Sequence, residues 1–341
     1  MKVFAACIEM LIWHFAQTIP GQDSMMPFNN TVRFFNTTLI RGAYLTIATL
    51  FISLGLSISV QAQEKAEVKY AQVGDVKLAY YLKGKGDPMI LIMGYAATMS
   101  AWDPALLDEL AKNNQLIIFD NRGAGLSTDT KENNTTIPQM ADDAAGLVKA
   151  LGFKKVNIFS WSMGARIGQQ LVIRHPDLVS KVILLAPNPG GKYQIAISKK
   201  VGEELNNPSL SPMENFELLF PITPEGKAAA KTVYARVMAA KAAGTIPDDF
   251  VVSKETKGRQ VRARITLWNA DNQNYQDLKN IKVPVLVADG REDIIDNPKN
   301  SVVIANQIPF AWLAFYEGGH AFLFQSYKKL SETVNVFLQK D

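Results

Sequence analysis

The chain has 341 residues, 48% of them hydrophobic and 20% charged, with a formal net charge of +4. That is enough apolar material for one large core, or a core with an inserted subdomain, and it excludes disordered and fibrous classes. A surplus this small and scattered implies no nucleic-acid partner, and the single cysteine, Cys7, allows neither a disulfide nor a thiolate metal site in the rest of the chain.

The first recognisable feature is a leader over residues 1–62. After Arg41 comes an uncharged apolar run, Ala43 to Val60, and then Val60-Gln61-Ala62, with small or modest residues at the positions a signal peptidase reads. This reads as a secretory signal cleaved after Ala62, which implies an exported, periplasmic or secreted protein with no membrane attachment once mature. The competing readings are an uncleaved anchor, since the run is about long enough to span a bilayer, and a second membrane segment over Val3 to Ile19. Met25 or Met26 would give a start with a more ordinary charged region before the run.

From Gln63 onward, short apolar runs alternate with amphipathic helical stretches, the pattern of an α/β protein with a mostly parallel sheet and helices on both faces. Val68 to Val73 and Val76 to Leu82 flank Gly74-Asp75 and predict an opening hairpin. Met89 to Met93, Leu116 to Asp120, Val156 to Phe159, Val182 to Ala186, Val285 to Ala288 and Leu313 to Tyr316 are near-continuous apolar runs, as expected of strands covered on both faces. Asp103-Pro104 and Asn297-Pro298 read as helix starts, and Gly152 as a helix stop. Between Gly191 and Lys282 the alternation gives way to helical patterns, among them the Ala-Lys run Lys227 to Ala243 and the aromatic-bearing stretch Val261 to Tyr275. Residues 63–190 and 283–341 are therefore expected to form the core, with 191–282 inserted as a helical lid over the carboxyl ends of the strands.

The strand Val156 to Phe159 runs into Ser160-Trp161-Ser162-Met163-Gly164-Ala165 and then into a helix reaching about Arg174. In that context the Ser162 hydroxyl projects at the strand end, where the helix N-terminus and the Met163 N–H favour negative charge. An ordinary N-capping serine is the plainer alternative. A serine nucleophile needs a base, and beyond the leader only His175 and His320 are available. His175 stands at the far end of the helix and reads as structural, whereas His320 follows the last predicted strand in Glu317-Gly318-Gly319-His320, where two glycines let the ring turn back over the sheet. Asp289, Glu292, Asp293 and Asp296 cluster after the strand ending at Ala288.

These segments resemble the α/β-hydrolase superfamily over nearly all of residues 65 to 341 outside the lid. The elbow is similar to the family's G-x-S-x-G, with Ser160 in place of the first glycine. Gly290-Arg291-Glu292-Asp293 resembles the G-x-x-D loop that carries the acid, Asp120-Asn121-Arg122-Gly123-Ala124-Gly125-Leu126-Ser127 resembles D-x-R-G-x-G-x-S, and Met93-Gly94 stands where the family often has His-Gly. The resemblance implies Ser162 as nucleophile, His320 as base and Asp293 as the orienting acid, with Glu292, Asp289 and Asp296 as alternatives for the last. It also implies an oxyanion hole from the backbone N–H groups of Tyr95 and Met163. Gly94, Trp161 and Trp268 are candidates for the substrate pocket. The implied activity is that of a serine hydrolase cleaving a carboxylic ester or related acyl bond of a small or medium, mainly apolar molecule, with no metal or cofactor. The alternatives are a cofactor-free perhydrolase similar to non-haem haloperoxidases, and a ligand-binding protein that retains a hydrolase pocket.

Overall fold

Eight strands form one sheet: β1 (Lys69–Val73), β2 (Val76–Lys83), β3 (Asp87–Ile92), β4 (Asn114–Phe119), β5 (Val156–Trp161), β6 (Val179–Leu185), β7 (Val285–Gly290) and β8 (Ala311–Tyr316). The computed structural model describes residues 65–129, 135–205, 207 and 209–339. The leader and its expected cleavage after Ala62 lie outside the described residues. Within them, no helix is long and apolar enough to cross a membrane.

The spatial order is β1-β2-β4-β3-β5-β6-β7-β8. β1 and β2 form the expected hairpin around Gly74, which takes φ 52°. β2 joins β4 antiparallel, and every neighbouring pair from β4 to β8 is parallel. Most strands extend a residue or two past their apolar runs, because the hydrogen-bonded ladder makes no demand on side-chain polarity at its ends. The sequence pattern misleads at β8. Its run is as apolar as that of a central strand, yet it is the last strand in the order, and Trp312 and Leu313 are each 40% exposed.

The sheet separates two apolar layers. One is built with the helices Ile137–Ala150, Met163–Arg174 and Lys299–Gln307, through residues such as Met140, Leu147, Ile167 and Ile304. The other is built with Pro104–Leu110 and Tyr327–Gln339, through Leu106, Leu110, Leu330 and Phe337. Covering both faces of a parallel sheet is what makes its strands almost wholly apolar. Helix ends fall at or within one residue of the punctuation, the helix after Asn297-Pro298 starting at Lys299 with Pro298 as its cap position. The Asp103 carboxylate accepts from the Ala105 N–H, Asn297 Oδ1 accepts from the Lys299 N–H, and Gly152 ends its helix at φ 77°.

Between β6 and β7 the chain is built of helices, namely Lys199–Leu205, Pro212–Glu217, Pro224–Ala243 and Lys254–Val261, then a π-helical turn, Arg262–Leu267, and the short helix Gln273–Asp277. The Ala-Lys run lies within Pro224–Ala243, which starts at the Thr223 cap and stops at Gly244 in the left-handed conformation. Its Ala230 and Val233 join the second apolar layer.

Candidate active site

Ser162 follows β5 at once and immediately precedes the helix Met163–Arg174, with φ 59° and ψ −121°. A non-glycine residue held there is strained, by about 1–3 kcal/mol, and persists only where its surroundings fix it. Those surroundings are tight. A β-carbon on Gly164 would fall 2.0 Å from the Ile92 carbonyl oxygen, so only glycine lets the helix start this close to β3. The strained turn keeps Ser162 Oγ from capping its own helix. Ser160, where the family pattern has glycine, fits because its hydroxyl donates to the Ile183 carbonyl at 3.0 Å and lies against Gly168, which has no side chain to oppose it.

The structure brings Ser162, His320 and Asp293 together. Ser162 Oγ lies 2.7 Å from His320 Nε2, and His320 Nδ1 lies 2.7 Å from Asp293 Oδ2. His320 is 3% exposed and Asp293 4%. The other Asp293 oxygen accepts the N–H groups of Ile295 at 2.7 Å and Asp296 at 3.0 Å, so the carboxylate is held from both ends. Gly290 is required for this: a β-carbon there would meet the Gly319 and Gly318 carbonyl oxygens at 2.2 and 2.4 Å, forcing the histidine loop away from the acid turn. Burial lowers the affinity of the His320 ring for a proton, but the charge and hydrogen bond of Asp293 outweigh it, and its pKa lies above the ordinary 6.5. A hydroxyl bonded to an imidazole whose far nitrogen faces a carboxylate can give up its proton as it attacks an electrophilic carbon.

The three other acidic residues of the cluster are engaged elsewhere or exposed. Asp289 accepts from Ser301 Oγ at 2.6 Å and from the Gly290 N–H, and burial, reinforced by the charge of Asp293, pushes its carboxyl well above the usual carboxylate range. Asp296 binds the buried Arg166 guanidinium with both oxygens, at 2.9 and 3.1 Å, and accepts from Asn188 Nδ2 at 3.0 Å. Glu292 is exposed. His175, read as structural, caps the far end of the helix and contacts Asp142 at 2.7 Å.

Trp161 donates its indole N–H to the His320 carbonyl at 2.9 Å and tilts its ring over the imidazole at 5.4 Å, so it supports the histidine loop. Gly94 lies against Ser162: a β-carbon there would sit 3.2 Å from Ser162 Cβ. Among the described residues, neither the Tyr95 nor the Met163 N–H has a hydrogen-bond partner, and both residues adjoin Ser162 or Gly94. With Met93 where the family often has histidine, the loop is held differently: Ala96, at φ 55°, donates its N–H to Gln260 Oε1 at 2.9 Å. Trp268 sits in the packing between the inserted helices and the loop after β6, 2% exposed, with its indole N–H on Asn188 Oδ1 and its ring against Gly190.

Sequence reasoning missed Arg166, Asn188 and Gln260. Arg166 carried a usable signal: it falls one turn after Ser162 on a helix that must pack against the sheet, and an inward arginine demands a carboxylate. That demand assigns Asp296 and leaves Asp293 for the histidine. Gln260 carried none, since it lies 164 residues from its partner.

The model of the alpha/beta hydrolase fold family matches residues 87–327, well over half of the chain. The chain belongs to that family. It is 28% identical over 278 residues to a protein provisionally named non-heme bromoperoxidase BpoC of Mycobacterium tuberculosis (strain ATCC 25618 / H37Rv), covering 78% of this chain and 97% of that one. It is 25% identical over 258 residues to a provisionally named carbamate hydrolase, RutD, of Azorhizobium caulinodans, covering 74% and 91%. Among solved structures, an alpha/beta hydrolase fold protein from Chitinophaga pinensis superimposes with a TM-score of 0.72 at 26% identity, covering 82% of this chain and 99% of that one.

Proposed function

We propose that this protein is a serine hydrolase that cleaves a carboxylic ester or related acyl bond through an acyl-enzyme. The observation that carries the reading is the unbroken path from Ser162 Oγ through His320 to Asp293, 2.7 Å at each step. Ser162 attacks the acyl carbon while His320 Nε2 takes its proton, and the protonated ring, steadied by Asp293, returns that proton to the leaving oxygen. Water then repeats the sequence on the acyl-enzyme. The Tyr95 and Met163 N–H groups stabilise the oxyanion, and the helices between β6 and β7 serve as the lid. Met93, Tyr95, Trp161 and Met163 favour a small or medium acyl group with an apolar body. The leader directs export.

The test is labelling by a fluorophosphonate together with hydrolysis of para-nitrophenyl esters of rising chain length. Wild type should label and turn over, and Ser162→Ala should do neither. Equal labelling of the two proteins refutes the assignment.

A second reading follows from the likeness to BpoC. Hydrogen peroxide attacking the acyl-enzyme in place of water releases a peracid, which then oxidises halide. Peracid formation exceeding hydrolysis at equal acyl donor would favour it.

A further inference from the structure

Gln260 and Arg264 lie one helical turn apart, at the end of Lys254–Val261 and in the π-helical turn after it. Gln260 is 0% exposed; its Oε1 holds the Ala96 N–H, and its Nε2 is buried without a hydrogen-bond partner among the described residues. The Arg264 guanidinium carbon stands 4.2 Å from the centre of the Tyr95 ring, and its Nε is buried without a partner as well. Tyr95 is the residue after Gly94, which lies against Ser162. Two side chains with an unsatisfied donor, one of them cationic, therefore contact neighbouring residues of the loop beside Ser162.

The other arginines enclosed in this half of the molecule have acids: Arg122 has Asp143, Arg166 has Asp296, Arg236 has Asp103, and Arg259 has Asp129. Arg264 forms no ion pair among the described residues. The acid that acts on it, Asp296, is already bound by both oxygens to Arg166 and accepts from Asn188. Burial, and after it the charge of Arg166, hold the Arg264 guanidinium below the usual arginine range. A half-buried cation without a carboxylate carries a cost to the fold, and the tyrosine face offsets only part of that. Positions that cost stability beside a reactive group are characteristic of binding, and single π-helical turns often occur at such places.

We propose that Arg264, with Gln260 beside it, binds a carboxylate of the substrate, so that the ester cleaved has an apolar body bearing one anionic group. The planar guanidinium fork matches a carboxylate better than it matches a neutral carbonyl. This rests on the reading of Ser162 as nucleophile only for the word substrate; the anion site stands on its own geometry.

Titration calorimetry with phenylacetate and its neutral isostere phenylacetamide reads the site without turnover. Wild type should bind the anion at least about tenfold more tightly than the amide, the margin a charge-assisted hydrogen bond supplies. In Arg264→Met the two affinities should come within about twofold, and Arg264→Lys should keep an intermediate preference. Raising the ionic strength should weaken phenylacetate and leave phenylacetamide unmoved. Equal affinities in wild type, or a preference that survives Arg264→Met, overturn the proposal. Hydrolysis of para-nitrophenyl butyrate, assayed on the same wild-type and Ser162→Ala preparations, reports separately on the hydrolase reading, so the two can fail independently.

Discussion

The Ser160 hydroxyl occupies the space that a side chain on Gly168 would need. A β-carbon at 168 would lie 2.5 Å from Ser160 Oγ and 3.1 Å from its Cβ. The two positions therefore share one small volume behind the nucleophile turn, and this is how the elbow tolerates serine two residues before Ser162. Gly168→Ala should destabilise by about 1–3 kcal/mol through overpacking. Ser160→Gly in the same chain should recover much of that, giving a favourable coupling on the order of 1 kcal/mol in a double-mutant cycle followed by urea denaturation. Strictly additive effects would show that the two side chains do not compete.

The Ser162 backbone predicts opposite effects on activity and stability. Ser162→Gly removes the reacting hydroxyl and relieves a conformation that only glycine adopts freely. Ester turnover should fall on the order of 10⁴-fold or more, while thermal unfolding moves upward by the equivalent of about 1 kcal/mol. A variant that is both inactive and less stable would mean the turn is not strained.

The acid limb of the pH profile reports on His320. Only the neutral ring can accept the serine proton, and Asp293 raises the ring's pKa against the opposing effect of burial. Activity should therefore fall as pH drops, with a midpoint above the ordinary ~6.5 of histidine. In Asp293→Asn that midpoint should move down as the rate itself collapses. A kcat/KM profile that stays flat to about pH 5 would exclude His320 as the base.

Much of this architecture could be read from residue pattern. The alternation of apolar runs and helices gave the α/β class, and glycine and proline marked the hairpin and helix ends. The strand leading into Ser162-Met163-Gly164 located the turn, because only glycine at 164 lets that helix approach β3. Among the four acids Asp293 was legible through the resemblance of Gly290-Arg291-Glu292-Asp293 to the G-x-x-D loop, not through spacing alone, which in the turn from Asp289 to Asp296 does not say which way each carboxylate faces. The edge position of β8 and the Gln260 strut under Ala96 were hidden for a related reason. Both are set by contacts between segments far apart along the chain, to which local periodicity is blind.

Asp120 ties the loop after β3 to the loop after β4, accepting from the Met99 N–H at 2.6 Å and the Leu126 N–H at 2.9 Å. Burial, with help from the charge of Asp249, pushes its pKa up to about 7 against those two hydrogen bonds. Because the folded value lies above the ordinary 3.8, the native state holds a proton that the unfolded chain releases. The contribution of this group to stability is thus full below about pH 4 and declines as pH rises toward 7. Asp120→Asn should flatten the decline across that window in denaturant titrations. Parallel curves for the two proteins would show that Asp120 does not titrate there.

Breaking the Arg166–Asp296 pair from one side should be severe, about 3–5 kcal/mol for Asp296→Ala, because it strands a buried guanidinium. Joint replacement by Met and Leu should restore most of the stability in thermal unfolding.

Asp293 and Asp296 leave the same short turn in different directions, one to the imidazole and the other to the helix that begins at Ser162. The turn thus acts as a bracket, bolting Ser162's helix and the imidazole to a common mount, while the inserted segment steadies the margins: the Leu219 carbonyl accepts the Ala321 N–H beside His320 at 2.8 Å, and Gln260 holds Ala96. On the proposed reading, chemistry and selectivity are in this way built largely on separate parts. On that reading the segment between β6 and β7 can be rewritten to admit a different guest while the Ser162–His320–Asp293 contacts stay, so long as Leu219 and Gln260 keep their holds on Ala321 and Ala96.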